Sequence, residues 1–219
     1  MKITMLGTGA ALPDPDRGQS AILLTLDDDT HYLFDCGEGA TRQMVRANVD
    51  PAKVGFVFLT HLHHDHICDY PYFVISSWML NKTGAPLVLG PKGTRHFVDH
   101  LFENGAYHTD YQARSAYPVR QANLEAMRPE VREVSPGPVF YDGRVRISVD
   151  WVEHIPRDVC ECFGVRVEAE GKVIAFSGDT APCEAMVRLA QDADLLIHEC
   201  TFPESFIAHR AKTGVGTYA

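Results

Sequence analysis

Basic charge is scarce in this sequence: 20 Lys and Arg stand against 29 Asp and Glu, a formal net charge of −9. A broad nucleic-acid footprint needs a basic face that displaces counterions, so the composition disfavours nucleic acid as a partner while leaving room for a small cationic pocket. Long apolar runs are also missing. No stretch approaches the roughly 18 consecutive apolar residues of a membrane span, so no membrane association is expected. The opening MKITMLGTGAALPDPDRG is short in apolar residues, is broken by glycine and runs into Pro13-Asp14-Pro15-Asp16, unlike a signal peptide. Disulfide spacing is absent as well. Cys36, Cys68, Cys160, Cys162, Cys183 and Cys200 form no framework, and the Cys160/Cys162 pair is too close for a CxxC redox or zinc motif. Reduced thiols, and with them a cytoplasmic protein, are the expectation. There is no linker, repeat or low-complexity tract.

What is present fits one soluble α/β domain over residues 1–219, with 45% hydrophobic and 22% charged residues. Aromatics at 10%, with 17 Gly and 13 Pro, exclude coiled-coil, collagen-like and largely disordered chains. Strands are expected at 2–6, at 20–26 and 31–35 about a polar turn, at 54–59 and at 86–89. Helices are expected at 40–47, at 69–80 and after Gly93. Hairpins are expected at 138–141 with 144–151, and at 162–169 with 172–176. A helix over 182–191 and a strand over 195–197 follow. Residues 104–128 show no regular pattern and read as an insert or lid, or as a plain connection.

Chemistry concentrates in Thr60-His61-Leu62-His63-His64-Asp65-His66, where five of seven side chains can ligate a metal. The cluster follows a buried-strand pattern, so a loop can splay these groups round one point. Imidazole with carboxylate suits zinc, manganese or iron. The spacing is not that of the H-E-x-x-H helix, which pairs histidines at i, i+4. His154 and Asp179 each end an expected strand, and taken singly each is as readily a structural His or a turn Asp. Arg157, three residues after His154, can pair an anionic group or simply be an exposed charge.

Together, LGTGAALP (6–13), FDCGEGATRQM (34–44), LTHLHHDH (59–66), LGPKGT (89–94), His154 and FSGDTAPCEAMVRLAQDADLLIHECTF (176–202) resemble the metallo-β-lactamase fold superfamily, and within it the ribonuclease Z-like branch. The resemblance implies an αββα four-layer sandwich with two divalent metal ions, zinc first and manganese or iron as alternatives. It implies His61, His63 and His154 on the first ion, Asp65 and His66 on the second, and Asp179 between them. Asp65 would also orient the nucleophile. Glu199 would support a catalytic histidine, with His198 a further catalytic candidate; the neighbouring residues read His198-Glu199-Cys200-Thr201. A homodimer is implied too.

Two departures from the branch shape the functional expectation. The branch carries a His-Ser-Thr-like segment and a last metal histidine further on, about where this sequence reaches Thr217-Tyr218-Ala219, so the C-terminal strands and helix of the sandwich are expected to be missing. The tRNA-processing members of short type carry a protruding arm between the metal histidine and the bridging Asp. Here 24 residues separate His154 from Asp179 and read as a tight hairpin. The expectation is therefore a hydrolase that uses a hydroxide held by two metals on a small anionic molecule: a phosphodiester or aryl sulfate first, a lactone or carboxylic ester next. The alternatives are a tRNA 3′-processing endonuclease and a non-catalytic metal- or ligand-binding protein.

Overall fold

The computed structural model describes residues 1–200. The chain divides into two compact units, Met1–Val134 and Ser135–Ala219.

The first unit is built on a six-stranded sheet of β1 (Lys2–Gly7), β2 (Ala21–Thr25), β3 (His31–Phe34), β4 (Phe56–Phe58), β5 (Leu87–Gly90) and β6 (Glu130–Glu133), in that spatial order. β1, β2 and β3 pair antiparallel; β3, β4, β5 and β6 pair parallel. Register explains the core. Leu23, Leu33, Val57, Val88 and Val131 are successive partners across five strands and so form one row on one face. Against that face pack Met44 of α1 (Ala40–Arg46), Tyr70, Phe73, Val74 and Trp78 of α3 (Tyr70–Met79), and Val98 of α4 (Thr94–Asp99). A period-2 strand row meeting helical apolar stripes is the arrangement that buries both. The parallel strands β3 and β4 are buried throughout, hence their near-continuous apolar sequences HYLF and FVF. β6 was not expected from the sequence. Its EVRE buries only Val131, and three charged side chains hide a strand at the sheet edge.

Residues 104–128 depart from their irregular reading. They hold α5 (His108–Ser115), α6 (Pro118–Gln121) and a 3₁₀ turn at Leu124–Met127. The helices are short and polar, so no apolar stripe announces them. The segment is pinned to α3: Trp78 Nε1 donates to Asn123 Oδ1 at 3.1 Å, and Asn123 Nδ2 donates to the Lys82 carbonyl at 3.1 Å. The buried Lys82 amine in turn donates to the Ala52 and Val54 carbonyls at 3.0 and 2.9 Å, and burial lowers its pKa.

The second unit carries a five-stranded sheet: β7 (Gly137–Tyr141), β8 (Val145–Trp151), β9 (Phe163–Ala169) and β10 (Lys172–Phe176) pair antiparallel in sequence order, and β11 (Leu195–Ile197) adds parallel to β10. The β9–β10 turn is Glu170-Gly171, with φ of 51° and 71°. Two positive φ values match the right-handed strand twist and favour glycine. α7 (Glu184–Ala190) lays Met186 and Leu189 on Val152, Cys162 and Ala175. A Cβ at Gly164 would lie 2.5 Å from Met186 Sδ, so glycine lets that helix approach. Each unit is thus a sheet with helical cover, and the α/β expectation holds.

Candidate metal centre

In the first unit the histidine cluster leaves the end of β4, and the short helix α2 (His64–Ile67) closes it. Its anchor is Asp35, the residue that follows β3. Asp35 is 3% exposed and its carboxylate accepts four hydrogen bonds. Thr60 N donates to Oδ1 at 2.7 Å; Thr60 Oγ1 at 2.9 Å, His66 Nδ1 at 2.7 Å and Ser20 Oγ at 3.4 Å reach Oδ2. Asp35 holds a positive φ of 58°, a conformation tolerated where surrounding bonds over-determine it.

These bonds set the imidazole tautomers. An ionised carboxylate only accepts, so Nδ1 of His66 carries the proton and its ligating atom is Nε2. Thr60 Oγ1 spends its proton on Asp35 and so accepts from His61 Nδ1 at 3.1 Å, which selects Nε2 of His61 as well. The carboxylate–histidine relay orients both rings, as outer partners do at metal sites. A ligand atom of His61 lies within 4.8 Å of one on His63 and of one on His66. The His61 ring centroid is 4.8 Å from that of His63 and 4.0 Å from that of His66. Asp65 is buried, with Oδ2 3.7 Å from His66 Nε2. His61 and His66 are buried and His63 is exposed, so the group opens on the His63 side. His64, the fifth potential ligand, turns away: its Nε2 pairs with the Ala11 carbonyl at 3.2 Å. His63 and His66 each approach His61, and imidazole with carboxylate is a donor set that suits a borderline divalent cation.

The loop is locked to the segment after β3. Cys36 N donates to the His66 carbonyl at 2.7 Å, and Asp69 N to the Cys36 carbonyl at 3.0 Å. A Cβ at Gly37 would stand 2.1 Å from the Asp65 carbonyl oxygen, so the chains touch there and only glycine fits. Burial pushes the Cys36 thiol up, with Asp69, Cys68 and Asp35 adding to it, which keeps it neutral and unreactive.

In the second unit His154 follows β8 and Asp179 follows β10, with His154 Nε2 3.7 Å from Asp179 Oδ2. Their loops are joined: Glu153 N donates to Thr180 Oγ1 at 3.0 Å, and Ala181 N to the Glu153 carbonyl at 2.8 Å. Glu199 braces the same turn, its Oε1 accepting from Thr180 N at 3.1 Å while its own N donates to Ser177 Oγ at 2.9 Å. His198 is exposed, and its Nδ1 meets the Glu199 carbonyl at 2.8 Å. The hydrogen bond with Cys160, and then burial, raises the Cys162 thiol strongly. None of the six cysteines is in a disulfide.

Asp35 and Gly37 were not singled out in the sequence as functional positions, although both lie in FDCGEG. Their signal was there to use: an Asp directly after an apolar strand, followed two residues later by glycine, facing a histidine cluster.

The family model described as "Anti-Pycsar protein Apyc1" matches residues 1–214. A ribonuclease Z of Mycobacterium bovis (strain BCG / Pasteur 1173P2) is 36% identical over 202 residues, which cover 90% of this chain and 69% of that one. A ribonuclease BN of Cronobacter sakazakii is 32% identical over 245 residues, covering 96% and 80%. Among solved structures, human tRNase Z, short form, superposes with a TM-score of 0.73 at 25% identity, covering 97% of this chain and 83% of that one.

These relatives correct one expectation. Nucleic acid was disfavoured as a partner on net charge, yet the similar proteins are ribonucleases by name. Net charge sums the whole surface and is blind to the field inside one site, where a bound divalent cation would add positive charge that no residue count includes. The chain is a metallo-β-lactamase-fold hydrolase of the ribonuclease Z-like branch and belongs to the Anti-Pycsar protein Apyc1 family.

Proposed function

We propose that this protein is a metal-dependent phosphodiesterase whose substrate is an RNA phosphodiester bond. The observation that carries the reading is the Asp35-anchored turn, which presents His61, His63, Asp65 and His66 as ready ligands. The 36% identity to a ribonuclease Z supports the bond type. In this reading His61, His63, Asp65 and His66 of the first unit would be ligands of divalent ions, zinc first and manganese or iron otherwise, and His154 and Asp179 of the second unit would be ligands too. Such ions supply Lewis-acid stabilisation of phosphoryl charge and a nucleophile from water near neutral pH. The protein's own part is positional. Asp35 keeps the proton on Nδ1 of His66 and, through Thr60, on Nδ1 of His61. The Asp65 carboxylate orients the attacking water. Glu199 acts through Thr180 on the turn that carries Asp179, and His198 is the nearby group able to carry a proton. A cytoplasmic homodimer belongs to this reading; among the described residues no helix is long and apolar enough to cross a membrane.

A second reading keeps the chemistry and shrinks the substrate to a small anionic diester or aryl sulfate. The tight Glu170-Gly171 hairpin between His154 and Asp179, with no protruding arm, favours it.

The test offers metal-loaded protein a precursor tRNA with a 3′ trailer, bis(p-nitrophenyl) phosphate and an aryl sulfate. Trailer release abolished by chelation supports the first reading, and turnover of the small esters alone supports the second. Metal bound without turnover of any of them supports a binding protein instead.

A further inference from the structure

Beyond the ligands, the second unit carries an arginine held in one place without an evident structural need. Arg157 lies three residues past His154, so their Cα atoms are at most about 11 Å apart. Its guanidinium carbon sits 4.7 Å from the centroid of the Trp151 ring, and Nη2 is 3.4 Å from Glu153 Oε1. The side chain stays 52% exposed. A free arginine loses much rotamer entropy when fixed, and an exposed ion pair recovers little of it. Here an indole face and a carboxylate orient the planar fork together, on a side chain that remains half exposed.

The root of this loop is fixed as well. Glu153 bridges to Ala181 through backbone, and Thr180 Oγ1 takes Glu153 N. The loop then folds on itself, Val159 N and Cys160 N both donating to the Pro156 carbonyl at 2.8 and 3.1 Å. Arg157 is thus a pre-oriented cation on a closed turn rooted beside Asp179 and following His154.

We propose that Arg157, laid on Trp151, is a binding subsite for a phosphate group of the substrate. This rests on the phosphodiesterase reading for the choice of anion. The guanidinium fork matches two phosphate oxygens, which a lysine cannot do. Glu153 positions the fork and yields part of it when the stronger anion arrives.

The experiment titrates metal-loaded protein with adenosine 5′-monophosphate and, separately, with adenosine, following tryptophan emission and calorimetry. Arg157→Ala is expected to weaken the nucleotide at least tenfold and to leave adenosine unchanged. Arg157→Lys is expected to fall between, because charge remains without the fork. Equal nucleotide affinity in wild type and Arg157→Ala overturns the proposal, as does equal loss for adenosine or failure of the wild type to bind the nucleotide. Should Arg157→Ala unfold, the Lys variant decides: unaltered affinity there overturns the fork. Nucleotide binding that depends on Arg157, in a protein that cleaves no diester, keeps the subsite and removes the phosphodiesterase reading.

Discussion

Oδ2 of Asp35 and Nδ1 of His66 lie 2.7 Å apart, a hydrogen bond between residues 31 positions apart in the chain. It couples the end of one parallel strand to the loop that follows the next, and it decides which nitrogen of His66 is left without the proton. Three further donors share the same carboxylate. An asparagine there has one acceptor oxygen and must turn an N–H toward Thr60 or His66. Asp35→Asn is expected to lower metal affinity about 10- to 100-fold. Competition against a chromophoric chelator measures this, and wild-type affinity in the variant would show that the relay does not orient the ligands.

Gly37 tests the same junction through shape. An added methyl would sit 2.1 Å from the Asp65 carbonyl oxygen and 2.8 Å from the Gln19 carbonyl carbon, both backbone atoms. Gly37→Ala must therefore push the ligand loop outward, at about 1–3 kcal/mol for overpacking. Bound metal per chain and the melting temperature should fall together. Gly55→Ala, with nothing within 4 Å of its Cβ, should change neither.

Adjacent histidines separate ligand from bystander. His63 clusters with His61, whereas His64 pairs with the Ala11 carbonyl. Metal analysis should find a deficit in His63→Ala and full occupancy in His64→Ala. The reverse pattern would reassign the site.

His31 makes stability depend on pH. It is 3% exposed, its Nδ1 meets Thr25 Oγ1 at 2.9 Å, and burial lowers its pKa from 6.5, opposed by Asp29 and aided by Lys53. The unfolded chain then takes up a proton more readily than the folded one. Stability from this residue is present above about pH 6.5 and is lost as the pH falls from there toward the lowered folded value. Chemical denaturation of wild type and His31→Gln between pH 8 and 5 should show a steeper acid loss in the wild type; parallel curves would sink the assignment.

Much of this was legible in the sequence. The apolar runs that became β2 through β5 and the hairpins of the second unit were readable because each is either a buried strand or a turn with its demanded residues, Glu170-Gly171 above all. The candidate metal ligands of the first unit stand out by density. What escaped were elements whose stability comes from a partner rather than from their own pattern. β6 is three charges around Val131, held by β5; α5 and α6 are polar helices, α5 bonded through Arg114 to Met79 and α6 through Arg120 to the Trp78 carbonyl. Asp35 escaped for the same reason, since its meaning depends on Thr60 and His66, which only strand pairing brings near.

The compactness of the histidine turn has a consequence for how metal acts on the folding equilibrium. His61, His63, Asp65 and His66 fall within six consecutive residues, so a denatured chain carries the same four donors side by side. A cation held by both states stabilises only by the difference in affinity. That difference resides in what folding alone provides: the Asp35 relay and the residues that lie far off in sequence. Added zinc should consequently raise the melting temperature by less than its native-state affinity alone would dictate, and the shortfall would measure how much of the site the bare sequence already possesses.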